Sequence, residues 1–288
     1  MEPLGPAASK LGMDLVDSAE GIVRIIDVKM QEAIKAISTM RGHDLRDFHL
    51  LAFGGAGPLH AARIAENLGM AGVVVPLFPG VYSAMGLLIS DVKHDYVRSK
   101  MSPLAKAKLD DVIEIFNELE EQARNDLGEE EFSKERIAIE RAIDMRYAGQ
   151  GYELTIACPA TLNADSIQIL RAEFDKQHEK MFGHTAPDEA VEIISYRLRG
   201  IGKVPPVSLR EYAPEGISLE KALRETRTAR FDGKSLDCPV YQREKIDVGV
   251  SVSGPAIIDQ LDCTSVIPPG HRARVDKFKN LLLTRDQD

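Results

Sequence analysis

The sequence predicts an α/β fold, followed by an α+β region and a small β-rich unit. Continuously apolar segments at residues 48–53 and 73–75 are typical of strands in a buried parallel sheet. A helical pattern lies between them, as a crossover connection requires. Beyond Pro103 the pattern changes, and longer alternating segments replace the short apolar ones. We therefore expect three segments, at residues 1–103, 104–210 and 211–288.

The first segment alternates helices with strands. Ile22, Ile26 and Met30 belong to an apolar repeat of three or four residues that predicts a long amphipathic helix ending at Gly42. The helix between the two strands begins at Pro58, a residue favoured at helix starts. A short helix over residues 83–89 and an extended segment around residues 96–101 follow.

The later segments contain helices and antiparallel strands. An acidic helix over residues 110–127 precedes near-alternation at residues 137–147, and a glycine turn then leads into a strand, which predicts a hairpin. A helix over residues 162–182 and an alternating strand over residues 192–204 come next. Residues 205–216 are rich in proline and predict a linker. Short strands separated by glycines indicate the β-rich unit beyond it.

The composition excludes several classes of function. Thirty-six Lys+Arg residues against 45 Asp+Glu give a net charge of −9, which argues against binding to nucleic acid or an anionic membrane. Three cysteines without a CxxC pair indicate neither a disulfide framework nor a zinc ribbon. We expect a cytoplasmic protein, because no secretory signal or membrane-spanning stretch is recognisable.

The strongest local signal is the turn formed by Gly54, Gly55, Ala56 and Gly57, which joins the first strand to a helix. A residue without a Cβ lets a planar or anionic ligand approach the backbone. The helix start adds free N–H groups and a partial positive charge. The spacing matches neither the dinucleotide fingerprint nor the P-loop. Two interpretations stay open, a nucleotide contact and close packing of strand on helix.

Two further residues are candidates for contact with a ligand. His60, on the first turn of the helix, could hydrogen-bond a phosphate or a substrate carbonyl, or it could be a surface or packing residue. Ser83 could donate to a ligand or form a local turn or helix cap. Both residues stay in the candidate binding set.

Other clusters are weaker. Asp91, His94 and Asp95 carry metal-ligand side chains, but no further ligand is evident and strand alternation would separate neighbours, so we expect no metal site. The residues around the later glycine turn could bind a partner, line a pocket or only flank a turn; they are Arg146, Tyr147, Gln150 and Tyr152. Cys158 and Cys263 lack a nearby histidine or basic cluster and are expected to be packing residues.

Several motifs resemble the hydantoinase A / 5-oxoprolinase family. They occur in the family's order and cover nearly the whole chain. They are RGHD at residues 41–44, FGGAGPLHA at 53–61, PGVYSAMGLL at 79–88, DVKHDY at 91–96, RYAGQGYEL at 146–154, GPAII at 254–258 and PPG at 268–270.

The resemblance implies a ribonuclease-H-like lobe of an actin-like ATPase fold, with ATP between two lobes. Gly54, Gly55 and Ala56 match the turn that contacts the adenosine side of ATP in such folds. The family's Asp-Xaa-Gly-Gly-Thr phosphate loop does not occur in this sequence. We therefore expect ATP and Mg²⁺ to bind mainly through an N-terminal lobe that this chain lacks. That lobe and a second large hydantoinase B-like subunit are the expected partners.

By resemblance, the expected activity is ATP-dependent hydrolysis of a small cyclic amide, of the hydantoinase, N-methylhydantoinase or 5-oxoprolinase type. Phosphorylation of the lactam oxygen would activate the carbonyl carbon. The sequence identifies no catalytic residue, and we expect the chain alone to be inactive. Two alternatives stay open: a subunit of an ATP-dependent acetone or acetophenone carboxylase, and a non-catalytic docking module for a partner subunit.

Overall fold

The computed structural model describes residues 4–159 and 161–286. The chain divides into two units: unit 1 is Met1–Leu88 with Ser208–Asp288, and unit 2 is Ile89–Val207. Its secondary structure is mixed, with strands in three sheets. Among the residues described, no helix is both long and apolar enough to cross a bilayer.

The helices and strands follow the predicted order closely. The helices are α1 (Gly5–Leu11), α2 (Leu15–Ile37), α3 (Gly57–Asn67), α4 (Tyr82–Ile89), α5 (Leu109–Glu129) and α6 (Ser166–Phe182). The strands are β1 (His49–Leu51), β2 (Gly72–Val75), β3 (Val92–Pro103), β4 (Ile137–Tyr147), β5 (Leu154–Cys158), β6 (Val191–Gly202), β7 (Leu223–Phe231), β8 (Lys234–Gln242), β9 (Ser251–Ser253), β10 (Ala256–Asp259), β11 (Thr264–Ile267), β12 (His271–Val275) and β13 (Leu281–Arg285).

Unit 1 contains two sheets. The five-stranded sheet has the order β1-β2-β13-β12-β9, and the four-stranded sheet has the order β11-β10-β8-β7. β1 and β2 are parallel and α3 connects them, which confirms the predicted α/β crossover. The side chains of Val73 and Val75 on β2 are almost fully buried, at 2% and 0% exposure. An interior strand covered on both faces accounts for its continuous apolar sequence.

The organisation along the chain differs from the predicted three segments. Residues 211–288 are rich in strands, as expected, but β13 pairs with β2 and so completes the sheet begun near the N-terminus. Leu281 and Leu283 of β13 share a core with Val73 and Val75. The alternation of a strand indicates its type but not its distant partner, so the sequence could not show this pairing.

Unit 2 is an antiparallel sheet covered by helices. Its strand order is β3-β6-β4-β5, and β4 and β5 form the predicted hairpin. β3 falls in the first predicted segment, residues 1–103, but it pairs with β6 and belongs to this unit. α5 packs on β6 and α6 on β5. The core contains Phe116 from α5 and Phe174 from α6, both with no exposed surface.

α2 exposes much of its apolar surface. Asp14 caps the helix, since its Oδ1 accepts hydrogen bonds from the N–H groups of Val16 and Asp17 at 2.7 and 2.8 Å. Its buried residues are Ser18 and Asp27, both polar. The predicted amphipathic character is present, but large aliphatic side chains face outward. They include Ile22 (42% exposed), Ile25 (64%), Ile26 (42%) and Ile37 (65%).

Candidate functional site

The glycine turn, defined as Gly54, Gly55, Ala56 and Gly57, joins β1 to α3 and includes the first residue of that helix. The N–H of Gly54 donates to the carbonyl oxygen of Pro79 at 2.7 Å, so the turn is tied to the segment that follows β2. The carboxyl ends of β1 and β2 meet here, because the two strands are parallel. In open α/β sheets this edge is where ligands bind.

The backbone of the glycine turn is open to a ligand. Gly54 has a φ of +82°, which strains any residue with a Cβ. Gly55 and Ala56 are exposed, and a Cβ built on Gly55 would lie 3.4 Å from the carbonyl oxygen of Asp262. A side chain at Gly55 would therefore fit the protein while occupying space beside the turn. Ala56 provides no side-chain cap for α3, which leaves the first N–H groups of the helix without that partner.

A hydrogen-bonded network joins the segment after β2 to the loop after β10. The N–H of Gly80 donates to Asp262 Oδ2 at 2.8 Å, and a Cβ on Gly80 would lie only 2.6 Å from that oxygen. Gln260 Nε2 donates to Asp262 Oδ1 at 2.6 Å and to the carbonyl oxygen of Leu77 at 3.2 Å. Sequence reasoning missed Asp262 and Gln260, because neither lies in a glycine-rich or periodic pattern.

Beside this network is a cleft of about 670 Å³, which we call the Arg243 cleft. Its lining includes Leu77, Phe78, Arg243, Gln260, Leu261 and Asp262.

Arg243 is 6% exposed. Its Nη2 donates to the carbonyl oxygens of Val75, Pro76 and Lys279 at 3.1, 3.0 and 2.9 Å. Burial lowers the pKa of Arg243 to about 10. Within the described part of the chain, its Nη1 has no hydrogen-bond partner. No sequence pattern distinguishes Arg243, because a lone arginine after a strand is usually a surface residue.

The two other predicted binding residues differ in their surroundings. His60 is buried, and its Nδ1 lies 2.7 Å from Asp27 Oδ1 on α2, so the imidazole contacts an internal carboxylate and not an open cleft. Ser83 is exposed on the first turn of α4. The rings of Phe53 and Tyr82 lie 5.5 Å apart, which brings the start of α4 close to the glycine turn.

Asp91, His94 and Asp95 have separate partners. Asp91 Oδ1 accepts from the N–H of Val204 at 2.9 Å, and His94 Nε2 lies 3.0 Å from Glu130 Oε1. Asp95 Oδ1 accepts from Arg199 Nε at 2.7 Å, and this hydrogen bond lowers the pKa of Asp95. Among the described residues, no group of three or more His, Cys, Asp or Glu could hold a metal ion.

The polar and aromatic residues around the later glycine turn contact their own unit. Arg146 pairs with Glu192 at 3.2 Å, and the Tyr147 hydroxyl donates to Asp175 at 2.7 Å. Gln150 Nε2 lies 3.5 Å from His178 Nε2. The Tyr152 ring packs 4.6 Å from the ring of Phe182. These contacts account for the composition of the turn by packing within unit 2.

The two cysteines considered as nucleophiles are buried. Burial raises the pKa of both Cys158 and Cys263 to about 11. A nucleophilic cysteine needs a lowered pKa. Both side chains are therefore packing residues, as expected.

Comparisons with known proteins match both parts of the chain to one family. Residues 2–96 match the hydantoinase/oxoprolinase family, and residues 101–285 match the hydantoinase/oxoprolinase C-terminal domain. An uncharacterized protein of Methanocaldococcus jannaschii is 33% identical over 283 residues, which are 96% of this chain and 39% of the relative. Caprolactamase subunit alpha of Pseudomonas jessenii is 27% identical over 96% of this chain and 41% of the relative. For 5-oxoprolinase 1 of Arabidopsis thaliana the identity is 28%, over 94% of this chain and 21% of the relative.

Two solved structures have a similar fold. The ATP-dependent caprolactamase of Pseudomonas jessenii aligns with a TM-score of 0.76 and 26% identity, over 98% of this chain and 42% of that chain. Nucleotide-free acetone carboxylase aligns with a TM-score of 0.78 over 96% of this chain and 41% of that chain; at 23% identity, this likeness concerns the fold alone. The chain thus spans about two fifths of each. The family matches cover nearly the whole chain, and it belongs to the hydantoinase/oxoprolinase family.

Proposed function

We propose that this chain is part of an ATP-dependent hydrolase of cyclic amides, of the hydantoinase, N-methylhydantoinase or 5-oxoprolinase type. The observation that carries the proposal is the exposed glycine turn at the carboxyl ends of the parallel strands β1 and β2. Two relatives, a caprolactamase subunit and a 5-oxoprolinase, are named for lactam substrates.

The residues of the turn are compatible with the adenosine side of ATP. Gly54, Gly55, Ala56 and Gly57 would contact the nucleotide through their backbone, and the exposed hydroxyl of Ser83 lies on the neighbouring helix. ATP would supply the phosphoryl group that activates the amide carbonyl. We propose that β1, α3 and β2 belong to the ribonuclease-H-like second lobe of the ATPase, and that residues beyond Pro103 form the family-specific part.

The Asp-Xaa-Gly-Gly-Thr phosphate loop, which the family resemblance associates with the phosphates of ATP, does not occur in this sequence. No cluster of three or more metal-binding side chains is present among residues 4–159 and 161–286. We therefore propose that an N-terminal lobe binds Mg²⁺ and the phosphates. Two relatives are long enough to contain such a lobe, because this chain spans only 39% and 41% of them. A second large subunit, hydantoinase B-like, is a further proposed partner, since one relative is itself named a subunit.

The outward-facing side of α2 is where we expect the N-terminal lobe to bind. Ile22, Ile25 and Ile26 are 42%, 64% and 42% exposed. Exposed apolar patches of this kind mark surfaces that bind another protein. The polar residue Asp27 faces the other way, toward His60. Because Asp27 is turned toward His60, the apolar side chains on the opposite side of α2 face outward.

The test supplies the proposed N-terminal lobe. The chain is combined, in cis or in trans, with the N-terminal lobe of the caprolactamase relative, and ADP and AMP release is measured with hydantoins, 5-oxoproline or caprolactam. We expect no turnover by the chain alone and lactam-dependent ATP hydrolysis by the assembly. Gly55→Val should suppress it by blocking the backbone, whereas Gly128→Val, at an exposed glycine of α5 with open space around it, should not. Unchanged nucleotide affinity in Gly55→Val would exclude the turn as the nucleotide contact.

The alternative of a ketone carboxylase subunit is supported by two further sequence relatives, which are named an acetophenone carboxylase gamma subunit and an acetone carboxylase beta subunit. The same assembly is assayed with acetone or acetophenone and bicarbonate. ATP hydrolysis that depends on a ketone and not on a lactam would select the carboxylase. An assembly that binds its partner but never binds nucleotide would select the docking module.

A further inference from the structure

The Arg243 cleft contains two buried polar atoms that lack hydrogen-bond partners in the described structure. Arg243 Nη1 is a donor and Gln260 Oε1 is an acceptor. The orientation of the Gln260 amide is fixed, because its Nε2 donates to Leu77 O and Asp262 Oδ1, both of which are acceptors. In folded proteins such atoms are nearly always bonded, so an unpaired donor and an unpaired acceptor call for a ligand or ordered water.

The same stretch of backbone holds the side chains of Arg243 and Gln260. Arg243 donates to the carbonyl oxygens of Val75 and Pro76, and Gln260 donates to that of Leu77. These carbonyl groups belong to three consecutive residues, the last one of β2 and the two that follow it. Both side chains are therefore fixed to the same short piece of backbone, and both line the cleft.

The cleft has the position and size of a small-molecule site. Arg243 directly follows β8 and Gln260 directly follows β10, and these strands are parallel neighbours. The cleft thus lies at the carboxyl ends of β2, β8 and β10. Its volume of about 670 Å³ falls within the range of ligand pockets. Phe78 and Leu261, which line it, are 60% and 105% exposed and could cover a flat ring.

The charges around the cleft favour an uncharged ligand. Its lining carries two cationic side chains, Arg224 and Arg243, and three anionic ones, Glu244, Asp259 and Asp262. Arg224 lies 3.6 Å from Asp259, so that its charge is paired. A free phosphate or carboxylate would meet a surplus of negative charge.

We propose that the Arg243 cleft binds an uncharged nitrogen heterocycle through a planar edge that presents a hydrogen-bond acceptor beside an N–H donor. Arg243 Nη1 donates to the acceptor, and Gln260 Oε1 accepts from the N–H. The proposal rests on the proposed function for its two sources of such an edge: the cis amide of an uncharged lactam, such as caprolactam or a hydantoin, and the aminopyrimidine edge of adenine in ATP.

Direct binding to the chain tests the proposal without the N-terminal lobe. The probes are caprolactam and adenosine, with two matched analogues that lack the N–H donor, cycloheptanone and purine riboside; inorganic phosphate tests for anion binding. Binding is measured by calorimetry or ligand-observed NMR. We expect caprolactam or adenosine to bind saturably and its analogue about tenfold more weakly, the loss of one hydrogen bond to a buried group.

Variants connect the binding to the cleft. Gln260→Met removes the acceptor, and Gln150→Met is the matched control, since Gln150 Oε1 is also buried without a partner but lies in unit 2. Leu261→Lys changes a fully exposed residue that lines the Arg243 cleft. Its control is Leu11→Lys, which changes an exposed leucine of α1. We expect Gln260→Met and Leu261→Lys to weaken binding about tenfold and the two controls to leave it unchanged. Thermal unfolding verifies that all four variants fold.

The outcomes separate the two sources. Selective binding of caprolactam assigns the cleft to the substrate, and selective binding of adenosine assigns it to the nucleotide. The proposal is overturned if neither probe binds, if the analogues bind equally well, if phosphate competes, or if Gln260→Met binds like Gln150→Met. Lactam binding by the chain, together with an assembly that hydrolyses no ATP, would refute the proposed function and leave this site in place.

Discussion

The pair of Asp27 and His60 illustrates how one buried contact determines the orientation of a helix. Asp27 is 2% exposed and its carboxylate faces the imidazole of His60 at 2.7 Å. Asp27→Ala would leave His60 buried without a partner, so we expect the free energy of unfolding to fall by about 1–3 kcal/mol in urea titrations. Glu32→Ala, at an exposed position of the same helix, should change it by less than about 1 kcal/mol. Equal effects of the two substitutions would contradict a structural role for the pair.

Asp144 makes the stability of unit 2 depend on pH. Burial raises the pKa of Asp144, but hydrogen bonds from Ser195, Thr155 and Arg197 outweigh burial, and the net pKa is lowered. The unfolded chain has a higher pKa, about 3.9, so the charged side chain stabilises the fold above that pH. This stabilisation is lost as the pH falls through the lowered native pKa.

We therefore expect Asp144→Asn to be less stable than the unsubstituted chain at pH 7, by about 1–3 kcal/mol, and the difference to shrink below pH of about 4. Denaturant titrations between neutral and acidic pH measure it. Asp188→Asn, at an exposed position of the same unit, is the control and should follow the unsubstituted chain. A difference independent of pH would exclude the charge of Asp144 as its cause.

At the scale of elements, the exposed apolar side of α2 predicts where the proposed N-terminal lobe binds. Ile25→Lys changes an outward-facing residue, 64% exposed, and should alter the free energy of unfolding by no more than about 0.5 kcal/mol. Association with the N-terminal lobe should weaken at least about tenfold, because a charge would be buried in an apolar contact. Lys35→Glu, an exposed change on the same helix, is the control. Equal affinities, measured by calorimetry, would place the lobe elsewhere.

The elements that the sequence predicted well are those with a strong local pattern. β1, α3 and β2 are recognisable because apolar runs mark the two strands and Pro58 marks the start of the helix between them. The glycine turn was recognisable for the same reason. The direction of α2 was not, since periodicity shows that a helix has an apolar side but not whether the chain itself covers that side. Arg243 and Gln260 were missed because each lies directly after a strand end and is held by backbone carbonyl groups far away in sequence.

At the scale of the whole chain, the division into units predicts how truncations behave. Unit 2 is continuous in sequence, has its own core and should unfold cooperatively as residues 89–207 alone. Residues 1–207 lack β13, which would uncover Val73 and Val75 on β2. We expect unit 1 to lose its structure in that truncation, with hydrogen exchange as the measurement. Protection of β2 in residues 1–207 would contradict this expectation.

The pairing of β2 with β13 also has a consequence during synthesis. β2 ends at Val75 and β13 begins at Leu281, so the ribosome adds roughly 200 residues before the second strand exists. At translation rates of about 5–20 residues per second, that delay is on the order of 10–40 seconds. Unit 2 is completed within this interval, while the apolar edge of β2 stays uncovered. The nascent chain therefore exposes an apolar strand at a time when unit 2, 119 of its 288 residues, has already folded.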